Sequence, residues 1–281
     1  MLRRTRTERR AAVPAVTLAL GAALLAGCTG TATPAPSPPT VTTPGPARTP
    51  SPGPRTADDV RAHGAPLTAG DVTLTAAATA GDPRTETLDD GSVRLTLAVA
   101  DATAAPALVV TLAAPSGSTF DVLGDGSVEL RDPDGALTGG LAAPTTTTSG
   151  DALKARFTAV GDDILELSVT ALTRAATLPA GTVTLWFGTR MLDDPADWGE
   201  REGGRSLAVR PTTWARAGGL AAQEGVWAAV IAQEPEADTN GMHDQLLCHA
   251  VGAPDKAAWN LEPWRPDVGS LATLAARCNP T

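Results

Sequence analysis

Val93-Arg94-Leu95-Thr96-Leu97-Ala98-Val99 alternates large apolar with polar or small residues over seven positions. Successive side chains of an extended chain point to opposite faces, so this stretch reads as a strand with one buried and one solvated face. The same alternation recurs at Val72-Thr73-Leu74-Thr75-Ala76 and at Leu165-Glu166-Leu167-Ser168-Val169-Thr170. Further candidate strands are Leu108–Ala113, Val128–Arg131, Leu153–Ala159 and Val183–Phe187. Asp90-Gly91, Asp125-Gly126 and Asp134-Gly135 punctuate the region, and Asp-Gly beside apolar runs is a hairpin signal because glycine accepts the positive φ of the turn. No EF-hand spacing of oxygen ligands surrounds these pairs, so they read as turns and not as calcium loops. Seven or eight short strands within roughly 125 residues, from 67 to 191, predict an all-β antiparallel sandwich.

The pattern changes after this region. All six tryptophans lie between Trp186 and Trp264, five of them beyond residue 197. Val226, Trp227, Val230 and Ile231 recur at helical spacing within 220–233, and Pro235 forbids continuation. A second helix is predicted over 241–251, after the capping types Asp238-Thr239-Asn240, and Ser270 is predicted to cap a last one running to Arg277. With a strand at Ser206–Arg210, residues 198–281 read as a small α+β domain.

The N-terminus gives an address. Met1–Arg10 holds five arginines, residues 11–26 form an uncharged apolar run, and Leu25-Ala26-Gly27-Cys28 has the order of a lipobox. The run is shorter than the roughly 20 apolar residues of a membrane-spanning helix. Residues 1–27 therefore read as a lipoprotein signal peptide, with Cys28 becoming the lipid-bearing first residue of the mature chain. Residues 28–57 follow as a Pro/Thr-rich linker, with nine prolines and almost no large apolar side chain. Such a segment buries too little surface to fold. Extended at about 3 Å per residue, it would span up to roughly 90 Å. The expected location is the outer face of the cell membrane, reaching into the cell wall.

Charge and cysteine usage agree with that address. Without residues 1–27 the chain loses five of its 22 basic and one of its 31 acidic residues, for a net charge of −13. That excludes a polybasic surface for nucleic acid and leaves the lipid on Cys28 as the expected membrane contact. Arginine outnumbers lysine 20 to 2, tyrosine is absent, and Ala, Gly, Pro and Thr abound. This is the coding bias of a high-GC genome and, with the linker, points to an actinobacterial envelope. Once Cys28 is lipidated, Cys248 and Cys278 remain as an even pair in an oxidising space, and a disulfide between them is expected.

The C-terminal blocks GGRSLAVRPTTWAR (203–216), VWAAVIAQEPEADTNGMHDQLLCHAV (226–251), APDKAAWNLEPWRPDVG (253–269) and ARCNP (276–280) resemble a bacterial family known as domain of unknown function 2599, carried by actinobacterial secreted proteins and lipoproteins. The resemblance implies an extracytoplasmic domain with paired cysteines and transfers no catalytic residue.

Within those blocks, Trp259, Glu262, Trp264 and Arg265 combine flat apolar faces with a carboxylate and a guanidinium between two prolines. This is the chemistry of a sugar- or peptide-binding groove and also of a small aromatic core, the core being the favoured reading because large aromatics in a small domain are usually buried. His243, Asp244 and His249 are the other candidate binding residues. The two histidines stand six residues apart, about 240° around a helix, so they do not share a ligand as residues four apart would. No metal site, nucleotide loop or common hydrolase motif is present, and no cofactor is expected. The leading expectation is a non-catalytic module for a wall glycan, a peptide or an envelope protein. The competing ones are a wall hydrolase using Asp238, Asp244, Glu262 or Asp267 with His243 or His249, and a structural lipoprotein without a ligand.

Lipidation of the thiol precedes signal cleavage, so Cys28→Ala should leave the precursor uncleaved and without lipid. Metabolic labelling with a fatty-acid analogue checks this; equal labelling of both proteins would exclude the anchor.

Overall fold

The computed structural model describes residues 56–79, 83–148, 153–173 and 175–281. The expected signal peptide, Cys28 and the linker up to residue 55 lie outside the described residues. In chain order the elements begin with α1 (Ala57–His63), β1 (Ala65–Ala69), β2 (Val72–Ala78), β3 (Arg84–Thr87), β4 (Val93–Val99), β5 (Thr103–Ala104) and β6 (Ala107–Ala113). Next come β7 (Thr119–Val122), β8 (Val128–Arg131), β9 (Leu137–Leu141), β10 (Thr145–Thr148), β11 (Leu153–Ala159), β12 (Ile164–Ala171), β13 (Thr177–Leu178) and β14 (Gly181–Gly188). The C-terminal part holds β15 (Asp197–Arg201), β16 (Gly204–Val209), α2 (Thr213–Ala217), α3 (Gly219–Gln233), α4 (Asn240–Gly252), β17 (Trp259–Leu261) and α5 (Ser270–Ala275).

The structure is mostly antiparallel β-sheet followed by a small, largely helical, disulfide-tied region. One sheet has the order β1-β2-β6-β12-β11; a second has β3-β4-β14-β9-β8-β7, with β10 also pairing β14. In β4 the alternation holds residue by residue: Val93, Leu95, Leu97 and Val99 are buried, while Arg94 and Thr96 are half-buried and Ala98 is exposed. Leu74, Val110, Leu112 and Leu165 of the first sheet share one buried cluster with Leu95, Leu130, Leu141 and Leu185 of the second. Strands without an apolar period escaped the sequence reading. β3 is exposed along its whole length, and β10 is four consecutive threonines.

Two local expectations are corrected. Thr56 and Ala57 leave the predicted linker for a helix, because Thr56 and Asp59 form a reciprocal capping box. Ser270 does not cap α5; Gly269 does, at φ 80°, while the Ser270 hydroxyl donates to Asp244. The helix also ends at Ala275, short of Arg277, which adopts φ 54°. Thr239 caps α4, its hydroxyl accepting the Met242 N–H at 3.3 Å.

The C-terminal region has its own buried cluster, in which Leu207, Val209, Trp214, Val226, Val230, Leu246, Trp259 and Leu261 take part. Cys248 of α4 is bonded to Cys278, with Cα atoms 5.4 Å apart across a separation of 30 residues. Closing such a loop is worth about 3 to 4 kcal/mol in the chain-entropy treatment.

Two hairpin turns bind this region to the sheets. Asp90 accepts the Ser92 N–H and hydroxyl on one carboxylate oxygen and the Trp214 N–H of α2, at 2.8 Å, on the other. Asp125 repeats the device: one oxygen holds Ser127 and the other takes the Leu220 N–H of α3 at 2.8 Å, while Ser127 Oγ accepts the Ala221 N–H at 3.1 Å. Gly219, at φ 73°, admits the carboxylate, since a Cβ there would lie 2.3 Å from Asp125 Oδ2. Partial burial pushes both carboxyls upward, but the bonds they accept more than offset it and hold both below the ordinary aspartate value.

Asp125→Ala removes the acceptor at the start of α3 and should cost about 1 to 2 kcal/mol, a melting-point drop of roughly 2 to 8 °C. Differential scanning calorimetry measures it, and an unchanged midpoint would refute the capping role.

Candidate functional site

The aromatic segment singled out in the sequence begins on β17, where Trp259 pairs with Val209, Asn260 with Ala208 and Leu261 with Leu207. Trp259 and Leu261 are wholly buried. The Arg216 guanidinium lies 5.5 Å from the Trp259 ring and donates to the carbonyls of Pro211, Pro254, Lys256 and Ala257. Trp259 is therefore a core residue and is withdrawn as a binding platform. Arg216, not flagged by the sequence, ties α2 to the loop after α4. No motif marks it, because its partners are backbone carbonyls.

Glu262 and Arg265 are almost fully buried. Arg265 Nε donates to Glu262, Nη2 donates to Glu202 at 2.7 Å, and Nη1 donates to the Pro280 carbonyl at 3.2 Å. Gln245 holds the Glu262 backbone from both sides, donating to its carbonyl at 3.0 Å and accepting its N–H at 2.8 Å. Removing one partner of a buried ion pair costs about 3 to 5 kcal/mol, so these residues secure the C-terminus to α4. Trp264 differs from them. It is 45 % exposed, with the Arg265 guanidinium 4.4 Å from its ring and its edge against Gly204, where a Cβ would lie 2.3 Å from Cδ1. Beside it, Asn240, Gln245, Glu262, Arg265 and Asp267 line a cleft of about 140 Å³.

The histidines part company, as their spacing requires. His243 stacks on Trp227 at 4.7 Å, and its neighbour Asp244 is engaged by Ser270. His249 is buried and donates from Nε2 to the Asn260 carbonyl at 3.2 Å. Burial, with the Lys256 charge acting in the same sense, pushes its imidazole down to about 4 against the Asn260 bond. Asp238 is exposed just before α4. A concavity of about 790 Å³ lies elsewhere, where α3 meets the β8–β9 hairpin and residues 189–192; Leu137, Met191, Trp227 and Ile231 line it with Arg131 and Glu224. Of its lining, Trp227 and Ile231 stood out in the sequence for helical spacing, Gly135 as a turn residue and Arg131 as the end of a strand, none of them as a site residue.

Residues 194–281 match the model of a family described as a protein of unknown function, DUF2599. Uncharacterized proteins of Mycobacterium bovis and Mycobacterium tuberculosis are 43 % identical over 97 residues, covering 32 % of this chain and 66 % of theirs. An uncharacterized protein of Mycobacterium leprae is 38 % identical over 81 residues, covering 27 % of this chain and 60 % of its own. The chain thus spans just under two thirds of the length of the relatives it matches. No solved structure gives a significant match.

A histidine held neutral by the fold makes stability depend on pH. The unfolded imidazole protonates near 6.5 and the folded one near 4, so its contribution is complete above about pH 6.5 and declines as pH falls towards 4. By linkage about 2 to 3 kcal/mol is lost between pH 7.5 and 4.5. Urea unfolding of wild type and His249→Gln at both values should show the stability difference between them shrinking by that amount. A constant difference would mean that His249 does not stay neutral.

Proposed function

We propose that the chain is an extracytoplasmic lipoprotein held at the outer face of the membrane by a lipid on Cys28. Residues 28–57 space it into the wall, and its C-terminal domain is a non-catalytic binding module for a wall glycan, a peptide or an envelope protein. We further infer that the two large sheets form a sandwich serving as its platform, a reading supported by the buried cluster to which both contribute.

The observation that carries the binding reading is Trp264. In a region whose other aromatic segment residues are committed to the core, this indole stays half exposed while Gly204 and Arg265 fix its position. A large, rigid, amphipathic surface placed at low entropic cost is what a binding hot spot requires. The non-catalytic reading is supported by three of the six acid and base candidates. Glu262 is spent on Arg265, Asp244 on Ser270, and His249 on Asn260. Acid–base catalysis needs such groups aimed at a substrate proton.

Full-length protein incubated with isolated actinobacterial walls should sediment with them and release no soluble sugar or peptide. Trp264→Ala should weaken retention about tenfold, a hot-spot loss of roughly 1.4 kcal/mol, while melting within a few degrees of wild type. Soluble fragments would establish a hydrolase instead. Absence of retention would remove the module.

A further inference from the structure

The solvated face of the second sheet carries a cluster of charged, hydroxyl and aromatic side chains. Glu86 of β3 stands opposite Arg94 of β4, and Arg94 opposite Trp186 of β14. In the next row Thr96 pairs with Thr184, and Thr184 with Thr145 of β10. Together with Ala217 from the end of α2, these residues line a groove of about 480 Å³. That is within the usual range for small-ligand sites.

Four arginines lie over tryptophan rings among the described residues, and three have their donors engaged. Arg205, 4.0 Å from the Trp198 ring, is ion-paired with Glu236. Arg265 is paired with Glu262 and Glu202, and Arg216 holds four carbonyls. The Arg94 guanidinium, 4.2 Å from the Trp186 ring, makes no hydrogen bond or ion pair among the described residues, although Glu86 is its cross-strand neighbour. The Glu86 carboxylate likewise has no hydrogen bond or ion pair there. The indole beneath is firmly oriented: Trp186 Nε1 donates to Ser92 Oγ at 2.8 Å, and Ser92 is held by Asp90. Its position is set before any ligand arrives, which lowers the entropic cost of binding.

The chemistry of the groove selects a ligand class. Arg94 offers guanidinium donors and Glu86 accepts; the Thr96 and Thr184 hydroxyls share one hydrogen bond at 3.2 Å and keep acceptor capacity beyond it, and the Thr145 hydroxyl can donate or accept. The two charges cancel, so the groove has no electrostatic preference for an anion, and the mature chain's net charge of −13 opposes polyanions. A flat guanidinium–indole stack flanked by balanced donors and acceptors complements a molecule with an apolar face and a rim of hydroxyls. We propose that this groove binds a neutral saccharide of one or two pyranose rings. The proposal rests on the extracytoplasmic reading above, in which the chain faces glycan, but not on Trp264.

Isothermal titration of the full-length protein with tetraoses of N-acetylglucosamine, galactose and mannose tests it, with tetragalacturonate and a neutral Gly/Ser octapeptide as competing classes. At least one neutral tetraose should bind. Arg94→Leu and the isosteric Thr184→Val, both on the solvated sheet face, should each weaken that binding at least fivefold without lowering the melting midpoint by more than a few degrees. Trp264→Ala should leave it unchanged. The proposal is overturned if no neutral tetraose binds, if binding survives both variants, or if the acidic tetraose or the peptide binds more tightly. Retention on walls that persists in Arg94→Leu but is lost in Trp264→Ala would sink this groove while sparing the C-terminal module; the converse would sink the module and spare the groove.

Discussion

The constraint on which the rest depends is the set of backbone donors at the start of α2 and α3. The first N–H groups of a helix have no acceptor within it, and leaving them unpaired beside a buried core is costly. Here Asp90 and Asp125, in turns between strands, accept from Trp214 and Leu220, and Ser127 accepts from Ala221. Both carboxylates lie outside the family-matched residues 194–281, yet they complete helices inside them. The C-terminal region has its own apolar cluster and caps α2 in part with its own Thr212, which accepts the Ala215 N–H, but the first donors of α2 and α3 are satisfied by the sheets. Gly188 adds a steric link, because a Cβ there would lie 2.3 Å from the Trp214 ring.

The sequence was legible wherever apolar periodicity and burial coincide. β4 appears where its alternation predicts, the further candidates β8 and β11 have the predicted bounds, and α3 and α4 start within a residue of expectation. The disulfide followed from cysteine parity and compartment chemistry and is present. Elements with no buried face were not legible: β3 and β10 are recognised by their hydrogen-bonded neighbours, and a run of threonines carries no period. The Asp-Gly pairs were readable as turns, but not as helix caps more than 90 residues away. Local sequence specifies the turn; only the fold brings the helix to it.

The candidate site shows a related limit. Trp259, Glu262, Trp264 and Arg265 are dense in recognition chemistry, and the structure spends Trp259, Glu262 and Arg265 on the core and on closure of the C-terminus. An aromatic next to an acid and a base has the same sequence signature whether its polar atoms face solvent or one another. What separates the cases is whether donors are engaged, which sequence does not encode locally. Arg94 illustrates the other outcome. It sits in the stretch that first betrayed the fold, on the solvated side of the alternation, and nothing nearby in sequence marks it as different from an ordinary surface arginine.

The two halves meet in a closed circuit of hydrogen bonds. The Trp214 N–H goes to Asp90, Asp90 holds Ser92, Ser92 accepts from Trp186 Nε1, and the Trp186 carbonyl accepts from Trp214 Nε1 at 3.2 Å. One carboxylate thereby caps a helix and, through a single serine, sets the plane of the indole beneath Arg94. Members of such a ring polarise one another and share any loss, so its energy is not divisible into pairs. Docking of the C-terminal helices and orientation of Trp186 are consequently not independent properties of this chain. A change that displaces α2 reaches the sheet face through Trp214, and a change in the Asp90 turn reaches the C-terminal core by the same route.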